Sequence, residues 1–181
     1  MSNVDLITST ILAFWLFVAA SLFWYEKKTK APAIPTLPWV RKKMIDGLKR
    51  HADPTKSYKI AELGSGWGGL TIKTARAFPN STIIGYEIAY FPYLVSKIRG
   101  LISLQKIKFC RTDFFKEDLA QYDIIVCYLL PWHMGQLKPQ LESLKAGTLV
   151  AANAYGVPGW EPIETQTTDF VVKIPIYIYK R

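Results

Sequence analysis

Three carboxylates stand where chemistry would be placed in an open α/β sheet. Glu62, Glu87 and Asp113 each lie at or just beyond the end of an apolar, strand-like run, and strand C-termini are where such sheets bind ligands. Between the first two acids runs Gly64-Ser65-Gly66-Trp67-Gly68-Gly69. Glycines there allow positive φ and a close backbone approach. The N–H groups opening the next helix attract an anionic or hydroxylated group. The loop fits two patterns: G-x-G-x-x-G through Gly64, Gly66 and Gly69, and E/D-x-G-x-G-x-G through Glu62, Gly64, Gly66 and Gly68. Glycines alone do not separate them.

The acids do. Glu87 follows Gly68 by nineteen residues, the place for a carboxylate that accepts from two ribose hydroxyls at about 1.5–3 kcal/mol per charge-assisted bond. Asp113 can accept from an adenine amino group while Phe114 covers the ring. Glu62, one residue before the turn, puts negative charge at the far end of the ligand. NAD carries pyrophosphate there, which a carboxylate repels; S-adenosylmethionine carries an ammonium beside a sulfonium, which it attracts. No second domain for a dehydrogenase substrate is expected.

These residues must be positioned by alternating strands and helices, the pattern of a parallel sheet covered on both faces. Tyr58 to Leu63 reads as a buried strand, with a helix from Gly68 to Phe78. Strands are expected at Ser81 to Glu87, Ile107 to Asp113, Tyr122 to Leu130 and Gly147 to Asn153. Helices are expected at Ala89 to Gln105, Phe115 to Gln121 and Trp132 to Leu144. Glu164 to Phe170 and Val171 to Tyr179 look like a closing antiparallel pair.

This order resembles the seven-stranded class I S-adenosylmethionine-dependent methyltransferases. The resemblance implies a Rossmann-like α/β sheet, mostly parallel with the last strand reversed. More narrowly, Glu62-Leu-Gly-Ser-Gly66, Gly85-Tyr-Glu87, Tyr128-Leu-Leu-Pro131 and Gly159-Trp-Glu-Pro162 resemble the membrane-anchored lysine methyltransferases of the ATP synthase c-subunit and the adenine nucleotide translocase. Those proteins also share a Pro-aromatic-Val stretch, here Pro38-Trp39-Val40. The chain departs from them at Trp67, where an acid is usual, and at Ile88-Ala89, where Asn-Pro is usual. The resemblance implies S-adenosylmethionine as cofactor, held by Glu62, Gly64, Ser65, Gly66, Gly68, Glu87, Asp113 and Phe114. It places Tyr128, Pro131 and Trp132 opposite the reactive methyl as candidate catalytic residues, with His133 the one other plausible base. The activity implied is lysine N-methylation of a membrane protein. The alternatives are a lipid or small membrane-soluble acceptor, or a non-catalytic membrane-bound nucleotide-binding scaffold.

Three regions follow: residues 1–30 as an anchor, 31–57 as a Pro-rich linker with a basic helix, and 58–181 as the methyltransferase domain. Leu6 to Tyr25 carries no charge, and twenty helical residues span roughly 30 Å, a bilayer core. Positive charge follows this run instead of preceding it. That order argues against a cleaved leader and for a single transmembrane helix with its C-terminal side cytoplasmic, or in the mitochondrial inner membrane of a eukaryote. Pro32, Pro35 and Pro38 make residues 31–38 an extended spacer.

The chain has 181 residues and a formal charge of +9. From Glu26 to Lys59 there are ten Lys or Arg against Glu26, Asp46 and Asp53. This basic collar beside the span suits anionic lipid headgroups and argues against nucleic acid. Trp39 to His51 is expected as an amphipathic helix with Val40, Met44, Ile45 and Leu48 on one face and Arg41, Lys42, Lys43, Lys49 and Arg50 along much of the rest. It would lie on lipid, cap the ligand site, or simply pack on the domain with its basic side solvated. Cys110 and Cys127 are the two cysteines and are expected as free buried thiols. No Cys/His spacing suits zinc, and no metal is expected.

Overall fold

A computed structural model describes residues 3–32, 34–169 and 172–181. Ala33 of the linker, and Phe170 and Val171 at the expected ends of the closing strands, lie outside the described residues. Helix α1 (Asn3–Thr29) leads to α2 (Pro38–His51), whose first residue is a proline preset for a helical first turn. Then come β1 (Lys59–Leu63), α3 (Gly69–Ala77), β2 (Thr82–Tyr86), α4 (Tyr90–Ile102), β3 (Ile107–Cys110), β4 (Ile124–Cys127), α5 (Pro131–Glu142), β5 (Leu149–Asn153), β6 (Glu164–Thr167) and β7 (Pro175–Lys180).

The strands form one seven-stranded sheet in the order β3-β2-β1-β4-β5-β7-β6. Strands β1 to β5 run parallel, and β7 enters antiparallel between β5 and β6. The expected polar helix at Phe115 to Gln121 is instead two 3-10 turns, Phe114–Lys116 and Leu119–Gln121. Asp113 and Asp118 cap them by accepting from the Phe115 and Ala120 N–H groups. An aspartate every few residues favours such caps over a continuous helix.

Side chains alternate across the strands with period two. Ile60, Ile83, Ile124 and Val126 pack under α2 and α3, while Ala61, Leu63, Ile125 and Cys127 pack under α5. Val40, Met44, Ile45 and Leu48 are all buried in the first of these layers, each contributing about 1.5–3 kcal/mol. The lipid-facing role weighed for α2 is therefore corrected: its apolar face belongs to the core. Part of its basic face is also engaged within the chain. Lys43 pairs with Asp169 at 2.7 Å, and Arg50 and His51 both bind the Glu164 carboxylate. These pairs tie α2 to β6 and to the segment after it.

Helix α1 stands apart. Phe14, Trp15, Leu16 and Phe17 are more than half exposed. The helix touches the rest of the chain at its C-terminal end, through Thr29 and His133, and along the start of α4, where Phe14 and Phe17 pack edge-on against Phe91.

Candidate active site

Strand β1 ends in a turn, and the turn's backbone is held by strand β2. The Ser65 N–H donates to the Tyr86 carbonyl at 2.8 Å, and the Gly68 N–H donates to the Ser65 carbonyl at 2.9 Å. Gly66 has φ +51, and a Cβ there would meet no atom within 4 Å, so a side chain would project into open space above the turn. Gly68 differs. At φ +75, a Cβ on it would lie 2.8 Å from Ser96 Cβ and 2.9 Å from the Phe109 ring. Its bare backbone lets α3, α4 and β3 close together, and it does not line the hollow above the strand ends. Gly68 thus has a packing role beside the ligand contact expected of it.

That hollow has a volume of about 670 Å³, within the range of small-molecule sites. Glu62, Glu87 and Asp113 all line it, together with Gly64, Ser65, Gly66 and Phe114. Tyr128 and Trp132 line it too, but Pro131 does not. Pro131 opens α5 between Leu130 and Trp132, both of which line the hollow.

Burial dominates the electrostatics. Glu62 is pushed up to about 8, chiefly by burial, against the hydrogen bond from Thr71 Oγ1 at 2.5 Å. The nearby Glu87 charge raises it further, and the Arg41 guanidinium lowers it. Glu87 is likewise raised by burial, opposed by N–H donors from Ala89 and Gly66. Those bonds measure 2.7 Å to Oε1 and 2.8 Å to Oε2. A carboxylate offers about four lone-pair sites, and with the Ile88 N–H also acting on it, one is left for a hydroxyl. The bond from Ala89 is one that a proline at this position could not donate.

Three buried polar atoms of residues at the hollow have no hydrogen-bond partner: Ser65 Oγ, Arg41 Nε and His133 Nδ1. Arg41 belongs to the basic side of α2, where a guanidinium is ordinarily left in solvent. Instead burial, and Arg99 nearby, lower its pKa. The signal in the sequence was its place one turn before Met44, at the edge of the apolar stripe. Trp67, in the acid's usual place, borders the hollow, and its carbonyl accepts from Arg99 Nη1 at 2.6 Å.

His133 is buried, and its ring sits over Phe115 at 6.0 Å. Its Nε2 meets the Thr29 carbonyl at 3.0 Å, and burial lowers its pKa. It therefore clamps α1 to α5 as a neutral donor, leaving Nδ1 as its unpaired nitrogen. The hollow's remaining wall comes from α1 and the spacer, including Leu22, Tyr25, Thr29 and Ile34. Of Cys110 and Cys127, both free, Cys127 is fully buried and pushed up to about 12 by burial. No cluster of three or more metal-ligating side chains occurs among the described residues.

A profile of the ANTKMT methyltransferase domain matches residues 62–164. A protein-lysine N-methyltransferase of Saccharolobus islandicus is 27% identical over 157 residues, 82% of this chain and 92% of that protein. A lysine N-methyltransferase of the ATP synthase c-subunit from Rattus norvegicus is 30% identical over 155 residues, 82% of this chain and 65% of that protein. Among solved structures, an RNA methyltransferase of Salinibacter ruber in complex with S-adenosyl-L-homocysteine superposes with TM-score 0.70 at 25% identity, covering 81% of this chain and 93% of that one.

The cofactor of these enzymes, S-adenosylmethionine, fits the hollow. Ser65 Oγ and Arg41 Nε would meet its amino-acid end, Glu62 its positive charge, Glu87 its ribose, and Asp113 with Phe114 its adenine. When bound, it supplies an electrophilic methyl group on a sulfonium. The surrounding residues need only orient an acceptor, exclude water and leave the acceptor's lone pair free. With its sheet order, its glycine turn and a match over more than half its length, this chain belongs to the ANTKMT methyltransferase domain family and is a class I S-adenosylmethionine-dependent methyltransferase.

Proposed function

We propose that the enzyme N-methylates a lysine side chain of a membrane protein, working at a bilayer that α1 enters. The observation that carries this reading is a shared wall: the C-terminal turns of α1 line the same hollow as Glu62, Glu87 and Asp113. An acceptor would thus meet the methyl group at the foot of the apolar helix. The archaeal and rat relatives are both lysine methyltransferases.

Further support comes from the surface. Leu101 and Ile102 of α4 are 72% and 74% exposed, on the helix whose Phe91 packs against α1. Exposed apolar surface thus continues to the far end of the helix that α1 packs against, as a face apposed to lipid would have. A tether confines enzyme and acceptor to one surface and raises their effective concentration without new contacts. Lysine must be neutral to attack, at a cost of about 4.6 kcal/mol at pH 7 from a reference pKa near 10.4. An aromatic mouth built from Tyr128, Trp132 and Phe115 reduces that cost by desolvating the ammonium. The Tyr128 hydroxyl would accept a proton of the incoming amine, and Trp132 would flank it. By the charge that follows α1, the domain would sit on the cytoplasmic side.

The test uses full-length enzyme, methyl-labelled S-adenosylmethionine and host membranes from cells lacking this protein. Acid hydrolysis of the labelled protein fraction should release methyl-lysine. Label confined to the organic extract would replace the reading with a lipid or small-molecule acceptor. Cofactor binding without any transfer would mean a non-catalytic scaffold.

A further inference from the structure

Helix α1 does not simply run out into the spacer. Lys30 takes φ +53, one of three non-glycine residues with positive φ among those described, and this left-handed step costs about 1–2 kcal/mol for an L-residue. It is held in place by the Thr29 carbonyl bonded to His133 on the first turn of α5. The turn brings Lys30 to Trp132, with Nζ 5.9 Å from the indole centroid, the outer range for attraction of a cation to an aromatic face. Lys30 and Trp132 both line the hollow that holds Glu62 and Tyr128. The neighbouring lysines are placed otherwise. Lys27 Nζ lies over Phe23 at 4.9 Å, and Lys28 Nζ, though its residue borders the hollow, lies over Trp24 at 5.1 Å. Both of those rings belong to α1 itself.

We propose that Lys30 is itself a methyl acceptor, modified by the chain that carries it. The inference rests on the lysine-methyltransferase reading and adds an acceptor that reading does not name. The Lys30 ammonium first loses a proton to water, to which the residue is open. Its Nζ lone pair then forms the new N–C bond as the sulfur–methyl bond breaks, with that electron pair remaining on sulfur. The products are a methylated lysine and S-adenosylhomocysteine, and each further methyl consumes another cofactor. Methylation keeps the positive charge and suits the aromatic face beside it, since aromatic surfaces bind alkylated ammonium groups. Because donor and acceptor share one chain, the reaction is first order in enzyme. A modified Lys30 would also alter the acceptor mouth through which other lysines must pass.

The experiment takes the full chain in lipid nanodiscs with deuteromethyl S-adenosylmethionine and maps Lys27, Lys28 and Lys30 by mass spectrometry. Host membranes serve as an acceptor in a parallel reaction. Methyl increments are expected at Lys30 and not at its two neighbours, at a rate per enzyme unchanged by tenfold dilution, and abolished in Lys30→Arg. A second readout needs no turnover: S-adenosylhomocysteine should slow acylation of Lys30 by an amine-reactive reagent severalfold while leaving Lys27 and Lys28 unaffected. Host membranes methylated beside an unmodified Lys30 would overturn the proposal and leave the functional reading standing. A Lys30 rate falling in proportion to dilution would also overturn it, by making the acceptor a second molecule. If neither Lys30 nor the membranes took label, the functional reading would fall and take this inference with it.

Discussion

At the scale of single residues, Glu62 carries the clearest consequence. Its carboxyl is raised to about 8 by burial, so the folded protein holds a proton there that the unfolded chain releases near pH 4.5. The sign follows: between those values the native state binds more protons, and stability of the ligand-free enzyme falls as pH rises. Glu62→Gln keeps an acceptor for Thr71 Oγ1 and has no proton to lose. It should flatten the fall in melting temperature between about pH 5 and 8. Cofactor affinity should move the other way, because a cation in the hollow favours the ionised carboxylate. Wild-type affinity should rise by up to about tenfold per pH unit below about 8, with no such rise in the variant. Calorimetry at several pH values checks this, and a pH-independent wild-type affinity would remove Glu62 from the proposed cofactor contacts. Gly66→Val makes a simpler case. Its strain is confined to one left-handed residue, about 1–2 kcal/mol, so the protein should fold with a small loss of melting temperature. Binding of S-adenosylhomocysteine should nevertheless vanish, since the new side chain enters the hollow.

At the scale of elements, two contacts between helices shape the site. Helix α2 brings Arg41 to the hollow because Val40, Met44, Ile45 and Leu48 anchor it on the sheet. Arg41→Met keeps most of the buried stem and removes the charge. It should weaken cofactor binding about tenfold or more, in line with about 1.5–3 kcal/mol for a charged hydrogen bond, and leave the melting temperature nearly unchanged. Unaltered affinity would assign Arg41 to balancing Glu62 alone. Helix α5 holds α1 through His133 and Thr29. His133→Phe keeps the ring contact with Phe115 and loses the donor. Proteolysis within residues 31–37 should then speed severalfold, in line with about 1 kcal/mol for a lost neutral hydrogen bond. Equal cleavage rates in the two proteins would show that the spacer is held by something else.

At the scale of the whole molecule, the sheet order places the ends of β1, β2 and β4 side by side, and α1 closes the space above them. An apolar helix of this length with exposed Phe, Trp and Leu side chains should partition into lipid. The protein should therefore stay with membranes through high salt and alkaline washing and leave only with detergent. Release by alkali would reduce α1 to a surface contact. High salt should weaken the remaining headgroup attraction by screening. The loss should be smaller than the basic collar alone suggests, because Lys43, Arg50 and His51 are paired within the chain.

Local chemistry made much of this protein legible from its residues alone. Glycine between apolar runs specifies a turn, and β-branched runs specify strands. An acid at each strand end foretold one hollow, and Glu62, Glu87 and Asp113 do share it. The seven-stranded order came by resemblance to a family, and the sheet bears it out. What spacing could not disclose were the contacts made across distance in the chain. Arg41 reaches the ligand turn, Gly68 lies against Ser96 and Phe109, Pro131 starts the helix that carries Trp132 into the hollow, and His133 holds Thr29. Each depends on which helix face meets which strand end. That is decided when the two apolar layers close on the sheet, because burial and close packing fix rotation and depth in a way that no single segment encodes.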